Sequence, residues 1–226
     1  MARLIWRIID KYICIPLIIV ISIFDAWLNI FIKNKNSSRK DYKKILIIKL
    51  SALGDTIMMI PILREVRNKL PEADVYALVT GINADAIQTC PYVNTIRLLN
   101  LERPIDCQSC LRTLIWLRRQ RFDLVVDFEQ RIGMSALIAY FSGPGKKIGF
   151  KTKGYFRHYL YTKKVAHRKD WHEAACMAEL VKDITGEIID YHPEFWVLDA
   201  DTRWADAFMD KNNLTGEKLI AIHPGC

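Results

Sequence analysis

The sequence lacks most of the short motifs that identify an enzyme class. It contains no phosphate-binding loop ending in Gly-Lys-Ser or Gly-Lys-Thr, no GxGxxG fingerprint, no GxSxG nucleophile elbow and no HExxH metal motif. Its six cysteines are scattered, and the CxxC pair Cys107 and Cys110 has no second motif to complete a four-ligand zinc site. That spacing also suits a redox pair, but its surroundings do not resemble a strand-to-helix redox turn. Without a cleavable secretory signal, this cysteine usage favours a reduced, cytosolic compartment.

The sequence also has no long uninterrupted apolar run. Ile13–Phe24 is only twelve residues long, whereas a membrane-spanning helix needs about 20. Residues 12–32 reach that length only by including Asp25 and Asn29, and a central aspartate costs about 3 kcal/mol on insertion. Basic residues on both sides suit a helix on the cytoplasmic side of the inner membrane, peripheral or as a single N-terminal anchor. The alternative is a hydrophobic helix packed on a globular domain.

The positive charge is unevenly distributed along the chain. Of the formal net charge of +8, residues 1–40 carry +5 and the remaining residues only +3. A whole-protein interaction with nucleic acid is therefore not expected. The arginine cluster of the central region is typical of a solvated face, and it comprises Arg112, Arg118, Arg119 and Arg121. A second basic group, suited to an anionic substrate, comprises Lys146, Lys147, Lys151, Lys153 and Arg157.

From residue 43 onwards, short apolar runs alternate with amphipathic stretches. Strands are predicted over 45–48, 75–80, 95–99, 122–127 and 147–150. Helices are predicted after the first strand, with Pro61 in the first turn, and over 83–89, 109–119, 134–141, 169–185 and 201–211. This order predicts an α/β fold with a Rossmann-like doubly wound parallel sheet. A further strand is predicted over 218–222, followed by a turn.

Three segments follow strands at positions where open α/β sheets bind ligands: 51–55, 127–131 and 223–226. In the first, Gly54 allows a close approach of backbone to a ligand, and Ser51 offers a hydroxyl group. Asp55 is expected at the N-terminus of a helix, facing the same edge of the sheet. The structural alternative is that Asp55 only caps that helix.

The run from Lys44 to Asp55, KILIIKLSALGD, resembles the opening of the family 9 glycosyltransferases, which include lipopolysaccharide heptosyltransferases. Similar segments follow in the same order: Ile60-Pro61, Leu63-Arg64, Phe122–Phe128, His172-Glu173 and Ile222–Gly225. The resemblance covers about residues 43–226 and leaves residues 1–42 outside it.

The resemblance implies a GT-B architecture, in which the first domain holds the acceptor and the catalytic base and the second holds the nucleotide-sugar. Asp55 occupies the position of the base. The candidate acceptor-binding residues are Lys49, Ser51, Gly54, Arg131 and Lys147, and the candidate donor-binding residues are His223, Pro224 and Gly225. The implied reaction transfers heptose from a nucleotide-sugar, ADP-heptose, to a lipid-linked saccharide with inversion. No metal or other cofactor is implied.

The domain organisation predicted on this basis has three parts. Residues 1–42 form a hydrophobic, basic segment with a linker, residues 43–216 the Rossmann-like acceptor domain, and residues 217–226 the start of a donor domain. Because so little of a donor domain is present, two alternatives remain open. The chain is either a catalytically inactive, membrane-associated remnant or the acceptor-binding half of an enzyme completed by a separate chain.

Overall fold

Six short strands form one parallel sheet in the computed structural model, which describes residues 6, 8–31, 41–100, 107–143, 145–188 and 190–222. The strands are β1 (Lys44–Lys49), β2 (Asp74–Val79), β3 (Thr95–Leu98), β4 (Leu124–Asp127), β5 (Lys146–Lys151) and β6 (Lys163–Ala166). Their order across the sheet is β3-β2-β1-β4-β5-β6, and every neighbouring pair is parallel. The chain therefore winds outward in both directions from β1 and β4, which creates a crevice at their carboxyl ends. The predicted doubly wound Rossmann-like fold is confirmed.

Helices connect the strands and cover both faces of the sheet. They are α1 (Ile15–Phe31), α2 (Leu53–Lys69), α3 (Gly81–Ile87), α4 (Cys107–Gln120), α5 (Gly133–Phe141) and α6 (Glu173–Thr185). Leu46 and Ile48 of β1 pack in one core layer with Ile18 of α1, Leu117 of α4 and Ala136 of α5. Successive strand residues point to opposite faces, and α2 packs against α6 on the other side.

The N-terminal helix α1, which follows a π-helical turn over Asp10–Cys14, packs on this domain through one face only. Cys14 and Ile18 are buried in the core. The approach is close, because a Cβ atom added at Gly133 would lie 3.3 Å from Ile18 Cδ1. The structure therefore shows the packed-helix alternative of the sequence analysis. Among the described residues, none of the helices combines the length and the apolar character needed to cross a membrane.

Both carboxylates of this N-terminal region are used in docking it. Asp10 Oδ1 accepts a hydrogen bond from the backbone N–H of Met134, at 2.9 Å, where α5 begins. Asp25 Oδ1 accepts one from the hydroxyl of Tyr140, at 2.8 Å, near the end of α5. The two contacts fix the N-terminal segment to both ends of α5.

The structure corrects the position of Pro61. It was expected in the first turn of its helix, but α2 begins at Leu53, so Pro61 is the ninth of its 17 residues. The expected start was too late because the chain leaves β1 by a very short turn. Pro61 has no N–H, so the carbonyl of Ile57 loses its usual helical hydrogen bond.

Two elements at the edge of the sheet were missed from the sequence. They are a 3-10 helix over Phe156–Leu160 and the edge strand β6. The strand reads Lys-Lys-Val-Ala and only alternates between exposed and half-buried positions. Edge strands are commonly short and lysine-rich, which weakens their apolar signal.

A separate compact unit, Phe195–Cys226, follows the first, Met1–Glu194. It contains α7 (Asp199–Lys211), where Trp204 and Phe208 stack with ring centroids 5.5 Å apart. The strand expected over 218–222 is wrong, because these residues form no strand and their apolar side chains are exposed. An isolated strand has no neighbour to satisfy its backbone groups. The sequence-based domain boundaries at 42/43 and 216/217 stay predictions.

Candidate active site

The first part of the candidate site is the tight turn between β1 and α2. Ala52 adopts a left-handed backbone conformation, with φ at 62°, which is strained for a residue with a Cβ atom. Its carbonyl accepts hydrogen bonds from the backbone N–H and the hydroxyl of Thr56, both at 3.1 Å. Ala52 thus occupies the N-cap position, and Asp55 is the third residue of the helix. The interpretation of Asp55 as the helix cap is therefore wrong.

A buried lysine joins two carboxylates behind this turn. Lys49, the last residue of β1, is 1% exposed, and its Nζ lies 3.1 Å from Asp55 Oδ2 and 3.6 Å from Glu129 Oε1. The Asp55 side chain is 27% exposed. Its second oxygen, Oδ1, makes no hydrogen bond with any residue in the part of the chain that the structure describes. Lys49 therefore fixes Asp55 through Oδ2, while the rest of the carboxylate is accessible from solvent.

Glu129 ties the loop after β4 to the loop after β1. Its Oε1 accepts hydrogen bonds from the backbone N–H groups of Leu50, at 2.7 Å, and Ser51, at 2.8 Å. The Ser51 hydroxyl donates to Glu129 Oε2 at 2.9 Å. One buried carboxylate thus accepts hydrogen bonds from the backbone N–H groups of a loop that has no regular secondary structure. These bonds fix the start of α2 and, with it, Asp55.

A buried ion pair supports the loop after β4 from below. Arg157 donates to Asp127 Oδ2 at 2.6 Å and to Ser135 Oγ at 3.0 Å, and it also donates to the carbonyl of Glu129. The hydroxyl of Tyr161 donates to the same oxygen of Asp127 at 2.6 Å. The 3-10 helix that the sequence analysis missed carries Arg157 into this position.

Burial and charge fix the protonation of this group. Burial raises the pKa of Tyr161 well above its ordinary value, and the charge of Asp127 acts in the same direction. Burial acts to lower the pKa of Arg157, but the charge of Asp127 and the hydrogen bond to it hold that pKa above its ordinary value. Arg157 therefore stays cationic and Tyr161 stays a neutral donor at physiological pH.

A second polar cluster lies at the same edge of the sheet, where β6 ends and α6 begins. Glu173 accepts a hydrogen bond from the side-chain amide of Gln130, and its Oε2 lies 3.3 Å from His167 Nε2. His172 is the N-cap of α6, since its Nδ1 accepts from the N–H of Ala174 at 3.3 Å. The His172-Glu173 pair therefore starts α6 at 173 rather than at 169.

The structure brings together only some of the predicted site residues. Lys49, Ser51 and Asp55 meet at the carboxyl ends of β1 and β4. Gly54 is exposed in the first turn of α2, with open space where a side chain would be. Arg131 is exposed on the loop two residues beyond Glu129.

Lys147 is not part of this group. It is the second residue of β5, so it lies toward the amino edge of the sheet, opposite the site. Its Nζ lies 5.7 Å from the ring centroid of Tyr140 on α5. The basic run that suggested Lys147 spans both ends of a strand, and only its later members reach the carboxyl edge. The predicted donor-binding residues, His223, Pro224 and Gly225, lie outside the described residues.

Sequence reasoning missed Glu129 and Arg157 as members of the site. Glu129 did lie inside the segment 127–131 that was expected at the sheet edge, so its position was a usable signal. Arg157 was grouped only with the basic residues suited to an anionic substrate, and its buried contact with Asp127 had no sequence signal, because the 3-10 helix that carries it was not predicted. No group of three or more His, Cys, Asp or Glu side chains that could hold a metal lies within the described residues.

Comparison with known proteins gives a result only for structure. No protein-family model matches the sequence, and no curated protein sequence is significantly similar to it. The glycosyl transferase family 9 structure from Veillonella parvula DSM 2008 matches with a TM-score of 0.67 and 17% identity, over 79% of this chain and 52% of that one. The chain has the fold of the family 9 glycosyltransferases.

Two Escherichia coli structures give the same result. The heptosyltransferase WaaC with ADP matches with a TM-score of 0.56 and 20% identity, over 66% of this chain and 51% of that one. The ADP-heptose lipopolysaccharide heptosyltransferase II matches with a TM-score of 0.56 and 18% identity, over 76% of this chain and 51% of that one. The resemblance inferred from the sequence is confirmed at the level of the fold, and the chain spans about half the length of these glycosyltransferases.

Proposed function

We propose that this chain is the acceptor side of an inverting glycosyltransferase and that Asp55 is its catalytic base. The proposed donor is a nucleotide-sugar, ADP-heptose, and the proposed acceptor is a hydroxyl group of a lipid-linked saccharide. Solved structures of the same fold support the donor class, since WaaC was determined with ADP and with ADP-2-deoxy-2-fluoro heptose. No metal or cofactor is required.

One observation carries the proposal: Asp55 is the accessible carboxylate at the point where the sheet reverses its winding. Lys49 donates to Oδ2 from the buried side at 3.1 Å, and the Asp55 side chain keeps 27% of its surface exposed. Ligands of open α/β sheets bind in the crevice at this point. A carboxylate fixed by one oxygen and free at the other can orient an acceptor hydroxyl and take its proton.

The reaction follows from this arrangement. The acceptor oxygen attacks the anomeric carbon of the donor sugar while the bond from that carbon to the diphosphate oxygen breaks. The proton of the acceptor hydroxyl passes to Asp55, and the bonding electrons leave with the nucleoside diphosphate. Attack opposite the leaving group inverts the anomeric configuration. Lys49 offsets the negative charge of Asp55 and Glu129, so that two carboxylates can lie close together.

The leaving diphosphate needs hydrogen-bond donors and positive charge. We assign this role to the segment containing His223, Pro224 and Gly225, as the sequence resemblance implies. Backbone N–H groups at a helix N-terminus are well suited to bind phosphate. This assignment concerns residues outside the described part of the chain and stays a prediction.

The substitution Asp55→Asn tests the proposal. It keeps the shape of the side chain but removes its basicity, so we expect kcat to fall by a factor of about 10² to 10⁴, with acceptor binding retained. The measurement is ADP release and product mass with ADP-heptose and a lipid-linked saccharide. The control is Asp74→Asn, an exposed aspartate at the amino end of β2, which should leave the rate unchanged.

Two results would contradict the proposal. Equal transfer rates for Asp55→Asn and the unmodified protein would remove Asp55 from the mechanism. Acceptor binding by the unmodified protein without any ADP release would instead favour an acceptor-binding module, or a half completed by another chain. Adding a chain that carries a donor domain would separate these last two cases.

A further inference from the structure

The outward face of α1 is apolar and exposed. Val20, Ile23 and Phe24 are 62%, 65% and 55% exposed, and they follow one another at helical spacing. Further exposed apolar residues on this helix and the turn before it are Tyr12, Ile13, Leu17, Ile19 and Trp27. Contiguous exposed apolar surface of this extent marks an interaction site.

No carboxylate interrupts this face between residues 8 and 27. The two acidic residues of the segment, Asp10 and Asp25, are turned inward and accept hydrogen bonds from Met134 and Tyr140. The remaining charged residue is Lys11, which is exposed beside Tyr12. In the sequence, Asp25 counted against contact with lipid, but its charge faces the protein.

A basic, apolar groove adjoins this face. It has a volume of about 850 Å³ and lies between α4 and α5. Its walls combine three exposed arginines with apolar side chains, and the lining residues are Leu111, Leu114, Ile115, Arg118, Arg119, Arg121, Tyr140 and Phe141. Tyr140 connects the two features, because it lines the groove and donates its hydroxyl to Asp25 of α1.

The groove is distinct from the candidate active site. Arg118 and Arg119 lie in the last turn of α4, immediately before β4, and Phe141 ends α5, immediately before β5. These positions place the groove at the amino edge of the sheet. Asp55 and Glu129 lie at the carboxyl edge.

We infer that the outer face of α1 and the arginine groove together form a docking surface for an anionic lipid bilayer. The apolar face of α1 lies flat among the acyl chains just below the headgroups, and Arg118, Arg119 and Arg121 contact the lipid phosphates. α1 lies flat because its other face, with Ile18, is already part of the domain core, as is Cys14 of the turn before it. This is the arrangement of an interfacial amphipathic helix.

The chemistry of the surface favours a bilayer over other partners. A nucleic acid would neutralise the arginines but leave the apolar face of α1 in water. A second copy of the chain would bring arginines against arginines. An anionic bilayer provides hydrocarbon and phosphate within the same shallow depth, which matches both features.

Vesicle sedimentation of the full chain tests the charged part of the surface. We expect binding to vesicles containing phosphatidylglycerol and little binding to vesicles of phosphatidylcholine alone. Arg119→Gln/Arg121→Gln should weaken the binding about tenfold or more. The matched control Lys69→Gln/Lys153→Gln removes two exposed charges from the end of α2 and the carboxyl edge, and it should have a much smaller effect. Equal binding to both kinds of vesicle, or equal losses in both variants, would overturn the inference.

The substitution Ile23→Gln tests the apolar part. It should abolish most vesicle binding while the melting temperature stays close to that of the unmodified protein, because Ile23 is exposed. The control is Ile82→Gln on α3, at an isoleucine that is 58% exposed against 65% for Ile23, and this variant should bind vesicles normally. Concentration-dependent dimerisation that Ile23→Gln abolishes, without vesicle binding, would show that a second copy covers the face and would refute the bilayer.

Discussion

Arg157 and Asp127 form a salt bridge in which both side chains are almost completely buried. Arg157 reaches three oxygen atoms besides, those of Glu129, Ser135 and Tyr161. A buried ion pair is stable only when its remaining polar groups are also satisfied. Here the extra contacts meet most of that requirement and, at the same time, hold the loop that carries Glu129.

Removing one member of this pair should therefore destabilise the folded protein strongly. We expect Arg157→Met to lower the free energy of unfolding by about 3–5 kcal/mol, because it leaves Asp127 charged and buried without its partner. Urea denaturation measures the change. The double substitution Arg157→Met/Asp127→Leu should recover much of the lost stability, since apolar residues of similar volume can often replace a buried ion pair without loss. A loss below about 1 kcal/mol in the single variant would mean that water reaches the pair.

The residues of the candidate site differ in how far the sequence could predict them. Lys49, Ser51 and Asp55 are close together in sequence, so a strand followed by a helix was enough to place them at one edge. Glu129 contacts Leu50 across 79 positions, and that contact depends on β1 and β4 being neighbours. The parallel sheet was predictable, but this pairing was not.

At the scale of elements, the backbone of β5 contacts the Tyr161 ring at Gly149, where no side chain would fit. A Cβ atom added at Gly149 would lie 2.4 Å from the Tyr161 ring. The ring is buried, and its hydroxyl bonds to Asp127, so it cannot move aside without breaking that contact. The glycine on β5 is therefore linked to the support of the candidate site.

Gly149→Ala should destabilise the protein by about 1–3 kcal/mol, the range typical of overpacking a core. Differential scanning calorimetry should show a lower melting temperature. Gly54→Ala is the matched control, because open space surrounds that helical position; it should leave stability unchanged or raise it by up to about 1 kcal/mol. If the two variants melt at the same temperature, β5 and Tyr161 are not as closely packed as described.

Another element-level contact fixes the segment after α6 to α2. Glu194 accepts a hydrogen bond from Tyr92 at 2.6 Å and forms a salt bridge with Arg64, which also contacts Asp190 at 2.8 Å. The hydrogen bond from Tyr92, together with Arg64, lowers the pKa of Glu194 below its ordinary value of 4.5. Since its pKa is lower in the folded state, the ionised form of Glu194 stabilises that fold.

This contact should make the segment sensitive to acid. The stabilisation is complete above pH 4.5 and is lost as the pH falls through the lowered pKa, because protonation removes the charge that Arg64 binds. We expect the free energy of unfolding to fall over that range in the unmodified protein and to fall less in Glu194→Gln. Glu72→Gln, at an exposed position, should keep the full acid dependence; parallel curves for all three proteins would count against the proposed contact.

The elements that sequence predicted correctly are those with a strong apolar pattern. Strands β1 and β4 are buried on both faces, so they read as continuous apolar runs. β6 lacks a continuous apolar run because an edge strand is only partly covered. Residues 218–222 have such a run and still form no strand, because an apolar run becomes a strand only beside another strand.

At the scale of the whole molecule, the common direction of the strands places the candidate site and the arginine groove at opposite edges of the sheet. All six strands run in the same direction, so their carboxyl ends share one edge with Asp55, and their amino ends share the other with the arginine groove. The apolar pattern of α1 was visible in the sequence. Which of its faces would be covered was not, since that depends on α5, more than a hundred positions later.

That separation has a consequence for synthesis. Asp10 finds its hydrogen-bond partner 124 positions further along the chain. At typical rates of translation, the ribosome takes roughly 6–25 s to add that many residues. For that time α1 has emerged while α5, the helix to which Asp10 and Asp25 bind, has not yet been made, so both of its apolar faces are accessible to chaperones or to a nearby bilayer. The order of synthesis, more than the final fold, decides what this helix meets first.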